Sequence, residues 1–358
     1  MDKHLFADNI LNWYAKNKRD LPWRHTNNPY LIWLSEVILQ QTRVKQGLPY
    51  YEKFVETYPT VKDLAEADEQ SVLRLWQGLG YYSRARNLHA AAKFVHEELE
   101  GKFPEDYQEL LKMKGVGKYT ASAIASFAYN EKVAVVDGNV FRVLARVFGI
   151  ATDIASHKGA KEFEVLANSL LPDQQADEYN QGIMEFGALQ CTPQKPNCMY
   201  CPMQSGCVAF QQGKQKELPV KIKKLKIKNR YFHYLIFEYQ KNGEVFLGMK
   251  ERTAKDIWSG LYDFWLEEKP ALQTTEALLG ENGWDDKLTS KWVIGKQSVA
   301  YKHILTHQRI QATFHHIEIP AEQAGTEFFS DLHFFKPDEI VDLPKPVLID
   351  NYLNKNFF

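Results

Sequence analysis

The four cysteines of the chain all fall within seventeen residues, at Cys191, Cys198, Cys201 and Cys207. Their spacing, C-x6-C-x2-C-x5-C, packs every thiol into one short stretch, a poor use of cysteine for disulfides and a natural one for metal ligation. Tetrahedral zinc usually takes two close C-x2-4-C pairs, and only Cys198 and Cys201 form one. A [4Fe–4S] cube accepts wider loops. On spacing alone iron–sulfur leads, with zinc and no metal as the alternatives. Two other places could do chemistry. Gly115-Val-Gly117 can turn the backbone sharply enough to aim successive N–H groups at an anion, although a plain packing turn explains such a pair as well. Asp137, followed by Gly138 and Asn139, is an N-cap on one reading and a cleft-facing carboxylate held by Asn139 on the other.

These residues need elements to hold them, and the first part of the chain supplies helices. Pro29 to Arg43 begins with proline in a first turn and carries Leu31, Leu34, Val37 and Ile38 at helical spacing. Similar patterns cover 68–77, 84–99, 105–112, 118–129, 138–147, 157–170 and 176–190. Glu36 lies among Trp33, Leu34, Val37 and Leu39. It is either a charge on the helix's wet face or a desolvated acid with a raised pKa. Trp23 and Trp33 read as core more than as stacking platforms.

Near residue 228 the texture changes. Residues 231–239, 244–249 and 311–319 are rich in aromatic and β-branched types, and Asn242-Gly243 marks a hairpin. The expected organisation is a helical domain over 1–210, a basic linker over 211–228, and an α+β domain over 229–358. A run of cations crosses the second boundary: Lys214, Lys216, Lys221, Lys223, Lys224, Lys226, Lys228 and Arg230. It reads as a solvated linker, or as a docking place for a partner.

The chain has 358 residues, 44% hydrophobic and 25% charged, with a formal charge of −1. These are globular values, and the length asks for two cores. Neutrality does not exclude a nucleic-acid partner, because phosphate binding needs only a local positive face. No segment reads as a membrane span or a secretory signal, so a reducing, cytoplasmic setting and no membrane partner are expected.

In order along the chain, Leu110 to Ile124 with its Gly-Val-Gly turn, Val135-Val-Asp-Gly-Asn-Val140 and the cysteine spacing resemble the endonuclease III superfamily of DNA glycosylases. Leu34-Ser-Glu-Val-Ile-Leu-Gln-Gln-Thr42 and Gly78-Leu-Gly-Tyr-Tyr-Ser83 narrow the resemblance to MutY-type adenine DNA glycosylases. It implies a helix-hairpin-helix glycosylase fold (hairpin about 110–124) with a [4Fe–4S] cluster on the 191–207 loop. A Nudix-like α+β domain that recognises 8-oxoguanine would follow. The implied activity is excision of adenine mispaired with 8-oxoguanine, and with G, from double-stranded DNA after the base is flipped out. A monomer is implied, with the basic linker as a place for repair-protein partners.

The resemblance also assigns roles. Glu36 would be the acid that protonates adenine. Asp137, held by Asn139, would be the carboxylate that faces the cationic sugar, as stabiliser or transient nucleophile. Arg24 and Gln181 would line the adenine pocket; Gln41, Thr42, Leu79 and Tyr81 would wedge or touch DNA; Gly115 and Gly117 would bind its backbone. In the related lyases a lysine stands two residues after the second hairpin glycine. Here that place is Tyr119, which could brace the sugar or bond Asp137. Lys118 is rotated about 100° away on the helix, so no Schiff base is expected.

In the second domain, Phe246 to Arg252 and Trp258 to Trp265 resemble Nudix opening strands. The segment Thr274 to Gly283 lacks the glutamate-rich box of a phosphohydrolase, so binding is expected there instead. The lesion-reading loop, Phe-Ser-His in many relatives, is Leu305-Thr306-His307 here. Threonine keeps the hydroxyl, while leucine gives up stacking. Two alternatives remain at this point: a thymine or oxidised-pyrimidine glycosylase of the same superfamily, and a non-catalytic DNA-binding or electron-transfer protein.

Overall fold

Asp2, Asn28, Asp68, Asp106, Asp137 and Ser156 each accept backbone N–H groups of a following turn and so start a helix. The computed structural model describes residues 2–222, 226–281, 284 and 292–358. Lys223 and Lys224 of the basic run lie outside the described residues, as do Asn282 and Gly283. Two compact units emerge, residues 1–66 with 87–224, and residues 67–86 with 225–358.

The first unit is helical: α1 (Lys3–Asn17), α2 (Pro29–Leu39), α3 (Val44–Thr57), α4 (Val61–Glu66), most of α6 (Ser83–Glu98), α7 (Tyr107–Leu110), α8 (Lys118–Tyr129), α9 (Gly138–Phe148), α10 (His157–Ser169), α11 (Ala176–Leu189) and α12 (Val208–Gln211). α5 (Glu69–Leu75) belongs to the second unit. One core gathers Phe6, Ile10, Val143, Leu144, Phe163, Tyr179, Ile183 and Phe186, so that α1, α9, α10 and α11 share a single apolar centre. α2 is buried almost all round and packs on α8. Gly187 of α11 allows a close approach to α9: a Cβ there would stand 2.6 Å from that of Asn139.

The second unit is built on a mixed sheet. Its strands are β1 (Lys228–Lys241), β2 (Glu244–Glu251), β3 (Tyr262–Asp263), β4 (Trp265–Lys269), β5 (Val293–Gln297), β6 (Tyr301–Ile304), β7 (Gln308–Glu318) and β8 (His333–Phe335). The path runs β3-β2-β1-β7-β5, with β4 on β1, β6 on β7 and β8 on β2. β1 and β7 run parallel, from Lys228 opposite Gln308 to Glu238 opposite Glu318, and the other pairs are antiparallel. Asn242 and Gly243, at φ 54° and 81°, make the tight turn between β1 and β2. Helices α13 (Thr275–Glu281), α14 (Pro337–Ile340) and α15 (Val347–Asn356) complete the unit. Leu235, Phe237, Leu278, Leu279, Ile317 and Phe329 form part of its core.

Arg230 departs from the linker reading. It lies on β1 with its side chain 6% exposed, paired with Asp256 at 2.7 Å and Glu268 at 2.6 Å. Two carboxylates offset the cost of burying its charge, so it is part of the sheet and not a solvated cation. Residues before the break also pack: Leu218 is buried, and its carbonyl accepts Arg146 Nε at 3.0 Å.

Candidate active site

Glu36 comes from the buried length of α2 and is 7% exposed. Tyr119, in the first turn of α8, donates its hydroxyl to Glu36 Oε2 at 2.6 Å. Burial pushes the Glu36 carboxyl up to about 7, with nearby Asp137 adding to the rise; the Tyr119 hydroxyl and Arg24 pull the other way. Of the two roles open to Tyr119, bracing the sugar or bonding Asp137, the second is not what the hydroxyl does here: from its place on α8 the phenol reaches Glu36 on α2, while Asp137 takes three donors from its own helix start. Lys118, the first residue of α8, pairs its ammonium with Glu164 at 3.2 Å.

Asp137 is at once N-cap and cleft residue. Its Oδ1 accepts the N–H groups of Asn139 and Val140, both at 2.8 Å, and its Oδ2 accepts Asn139 Nδ2 at 2.7 Å. Burial raises its pKa, but these three donors and Arg142 all favour the anion. Arg142, one turn along α9, donates to Asn139 Oδ1 at 2.8 Å, to the Gly187 carbonyl at 2.6 Å and to the Cys191 carbonyl at 2.8 Å. The orientation of Asn139 is thereby tied to the start of the cysteine loop.

A cavity of about 500 Å³ brings together Arg24, Glu36, Thr42, Tyr119, Asp137, Asn139 and Gln181. That is a volume fit for a nucleoside. Sequence reasoning did not single out two residues that line it, Arg19 and Glu185. Glu185 is 1% exposed and accepts Arg19 Nε at 2.7 Å and Arg24 Nη2 at 2.9 Å. Burial alone would raise its pKa, but the two guanidinium groups prevail and hold the carboxyl at about 2. The signal was present in sequence: Glu185 follows Gln181 by four residues and shares its helix face. Gln181 accepts Tyr14 Oη at 3.0 Å. Trp33 is core, whereas Trp23 lines the cavity and packs its edge on Tyr51.

A neighbouring cavity of about 680 Å³ shares Glu36, Tyr119 and Asp137 and is lined by Gln41, Gly115 and Gly117. Gln41 sits at φ 56°, strained for a residue with a side chain. Gly115 needs to be glycine, since its φ is 79° and a Cβ would press on Asn87 at 2.8 Å. Gly117 does not: it is extended, and a Cβ would meet nothing within 4 Å. Gly117 has no side chain with which to cap α8, and the first turn of the helix opens on this cavity.

Cys191, Cys198, Cys201 and Cys207 line one cavity with Arg146, whose Nη1 is 3.4 Å from Cys191 Sγ. Among the described residues no three Cys, His, Asp or Glu side chains converge as ligands of a single ion. A lone zinc draws sulfur to about 2.3 Å; a cube carries its irons apart and suits thiols spread around a wider wall. Burial raises the Cys198, Cys201 and Cys207 thiols, Cys201 to about 11, and only a cationic group would make them thiolates there. The chemistry of the donor set, four thiols lining one cavity, suits a cluster.

In the second unit, Leu79, Tyr81, Leu305, Thr306 and His307 all line a cavity of about 570 Å³, together with Trp258 and His303. Tyr81 and Thr306 share a hydroxyl–hydroxyl bond. His303 packs its edge on Trp258, and burial lowers its pKa.

Residues 34–169 match the family described as HhH-GPD superfamily base excision DNA repair protein, and residues 233–355 match the NUDIX domain. The chain is 31% identical to the adenine DNA glycosylase of Buchnera aphidicola subsp. Acyrthosiphon pisum (strain APS), with 100% of both chains covered. The chain belongs to the adenine DNA glycosylase family. A rat (Rattus norvegicus) adenine DNA glycosylase is 46% identical over 60% of this chain and 46% of its own. A solved thermostable thymine-DNA glycosylase, 31% identical, superposes with a TM-score of 0.55 over 59% of this chain and 97% of its own. The MutY-type resemblance, the helical glycosylase fold and the Nudix-like second part are thus borne out, and with them base excision repair. Among the described residues no helix is long and apolar enough to cross a membrane.

Proposed function

We propose that this protein hydrolyses the N-glycosidic bond of adenine mispaired with 8-oxoguanine, and with G, in double-stranded DNA, and that it does so without cutting the strand. The observation that carries the reading is the placement of Glu36 and Asp137 on one nucleoside-sized cavity in unequal surroundings. Adenine is a poor leaving group as an anion. A neutral acid must give a proton to a ring nitrogen as the C–N bond breaks, while an anion faces the cationic sugar. Glu36, at about 7, is partly neutral at physiological pH. Asp137 has three N–H donors that favour its charge. As the base departs, water adds to the sugar and the ionised Glu36 can accept its proton.

Extrusion of adenine into the cavity falls to Gln41, Leu79 and Tyr81 as wedge residues, with Thr42 touching the DNA and Gly115, Gly117 and the open end of α8 on its backbone. Arg24, fixed by Glu185, and Gln181 line the base's place. Tyr119 stands where an amine would be needed for strand cleavage, and Lys118 is engaged elsewhere. Leu305, Thr306 and His307 read 8-oxoguanine; the Thr306 hydroxyl can donate to or accept from the altered purine edge. The four cysteines would hold a [4Fe–4S] cluster, which would tie down the 191–207 loop. No step of the hydrolysis passes through it.

The thymine-DNA glycosylase likeness offers a second reading. The full-length match to an adenine enzyme and the Nudix-like part favour the first. Duplexes carrying A:8-oxoguanine, A:G, T:G and paired controls separate them. The reading expects free adenine and alkali-labile sites from the first two only, with no borohydride-trapped enzyme–DNA adduct. Thymine release from T:G, or a trapped adduct, would overturn it.

A further inference from the structure

Tyr81 holds a backbone conformation that its own side chain disfavours. Gly78 and Gly80 take φ of 101° and 74° freely, but Tyr81 sits at 51°. Something must keep the loop there, and the contacts converge on Arg84, in the first turn of α6. Its backbone N–H donates to the Tyr81 carbonyl at 2.8 Å, and its Nη2 donates to the Gly80 carbonyl at 3.1 Å. Trp76 Nε1 reaches the same carbonyl at 3.1 Å. The guanidinium lies 5.0 Å from the Trp76 ring centroid and 5.7 Å from that of Tyr81, so one cation bridges a buried indole and a phenol that is 43% exposed. Burial lowers its pKa to about 10, which leaves it charged at neutral pH.

We infer that Arg84 is a positioning residue for Tyr81: it sets the left-handed turn and the ring direction before DNA arrives, while Thr306 holds the phenol's other end. The inference rests on the reading of Tyr81 as the wedge. A wedge ordered in advance spares the loop from being ordered at the moment of base extrusion, which speeds the step that needs it. Lysine could keep the charge over the rings but not the planar fork, which meets Gly80 while stacking on both.

The test uses the full-length protein and a duplex with 2-aminopurine in place of adenine opposite 8-oxoguanine, whose fluorescence rises as the base unstacks. Arg84→Met should slow that rise on the order of tenfold and Arg84→Lys about threefold, with circular dichroism and melting close to wild type. Tyr81→Ala should also slow it, and adding Arg84→Met to Tyr81→Ala should add nothing, because the two act through one ring. If Arg84→Met does not fold, Arg84→Lys carries the same cycle. Wild-type rates in the Arg84 variants beside a slow Tyr81→Ala would overturn the positioning role alone, as would additive losses. A wild-type rate in Tyr81→Ala would overturn the wedge reading, and the inference with it.

Discussion

Tyr119 donates its phenol hydrogen to Glu36 Oε2 at 2.6 Å, and Glu36 is the carboxyl that burial lifts to about 7. The bond favours the anion and so keeps the acid from rising further. A general acid works below its pKa, so adenine release should fall as pH rises through about 7. In Tyr119→Phe the lost donor should move this alkaline limb upward by about one pH unit. Single-turnover pH–rate profiles check it, and a limb that stays or moves down contradicts it.

Gly187→Ala should damage the site from a distance. The new methyl would overlap the Asn139 side chain and press on its carbonyl at 3.0 Å, so α11 or Asn139 must shift. The strain costs about 1–3 kcal/mol, and misplacing Asn139 and Asp137 should lower adenine release by roughly 10- to 100-fold. Duplex binding, followed by a gel-shift titration, should change little.

A pair of buried histidines gives the second unit an acid limit. His233 Nδ1 lies 3.1 Å from His315 Nε2, and Thr313 and Thr275 supply the remaining side-chain partners. Burial lowers both pKa values, His315 to about 4; the charges of His233 and His316 add to the fall at His315 and that of Lys269 to the fall at His233, while the Ala271 carbonyl, Glu267 and Glu281 oppose at His233 and Glu276 at His315. Between about 4 and 6.5 the unfolded chain binds more protons, so stability is full above 6.5 and falls as pH drops toward 4. For His315 this amounts to about 3 kcal/mol. His315→Gln should flatten the fall in melting temperature between pH 7 and 4.5; an unchanged slope would count against the histidine pair.

Much of this was legible in the residues themselves. Periodicity alone placed α8 at 118–129 and α10 within one residue, because apolar spacing there is unbroken. It passed over α3, which carries Gly47 and Pro49 inside the helix. Gly47 is needed because a Cβ would lie 2.8 Å from Leu39 Cδ2. The segment 105–112 reads as a helix of two turns but forms only Tyr107–Leu110, since Met113-Lys-Gly115 turns early. Asp137's double use could be read from its neighbours, whereas the Tyr119–Glu36 bond could not: it joins residues 83 apart in sequence. Arg84 shows no pattern at all, because its contacts depend on three left-handed residues that sequence spacing does not reveal.

The account stands on proton donation by Glu36, and Glu36→Gln tests it most directly. Glutamine keeps the shape and can still accept the Tyr119 hydroxyl, but it carries no transferable acid proton. Single-turnover adenine release from an A:8-oxoguanine duplex should drop by at least about 100-fold, with the dissociation constant for that duplex within a few-fold of wild type. Release at the wild-type rate by a correctly folded Glu36→Gln would contradict the central claim.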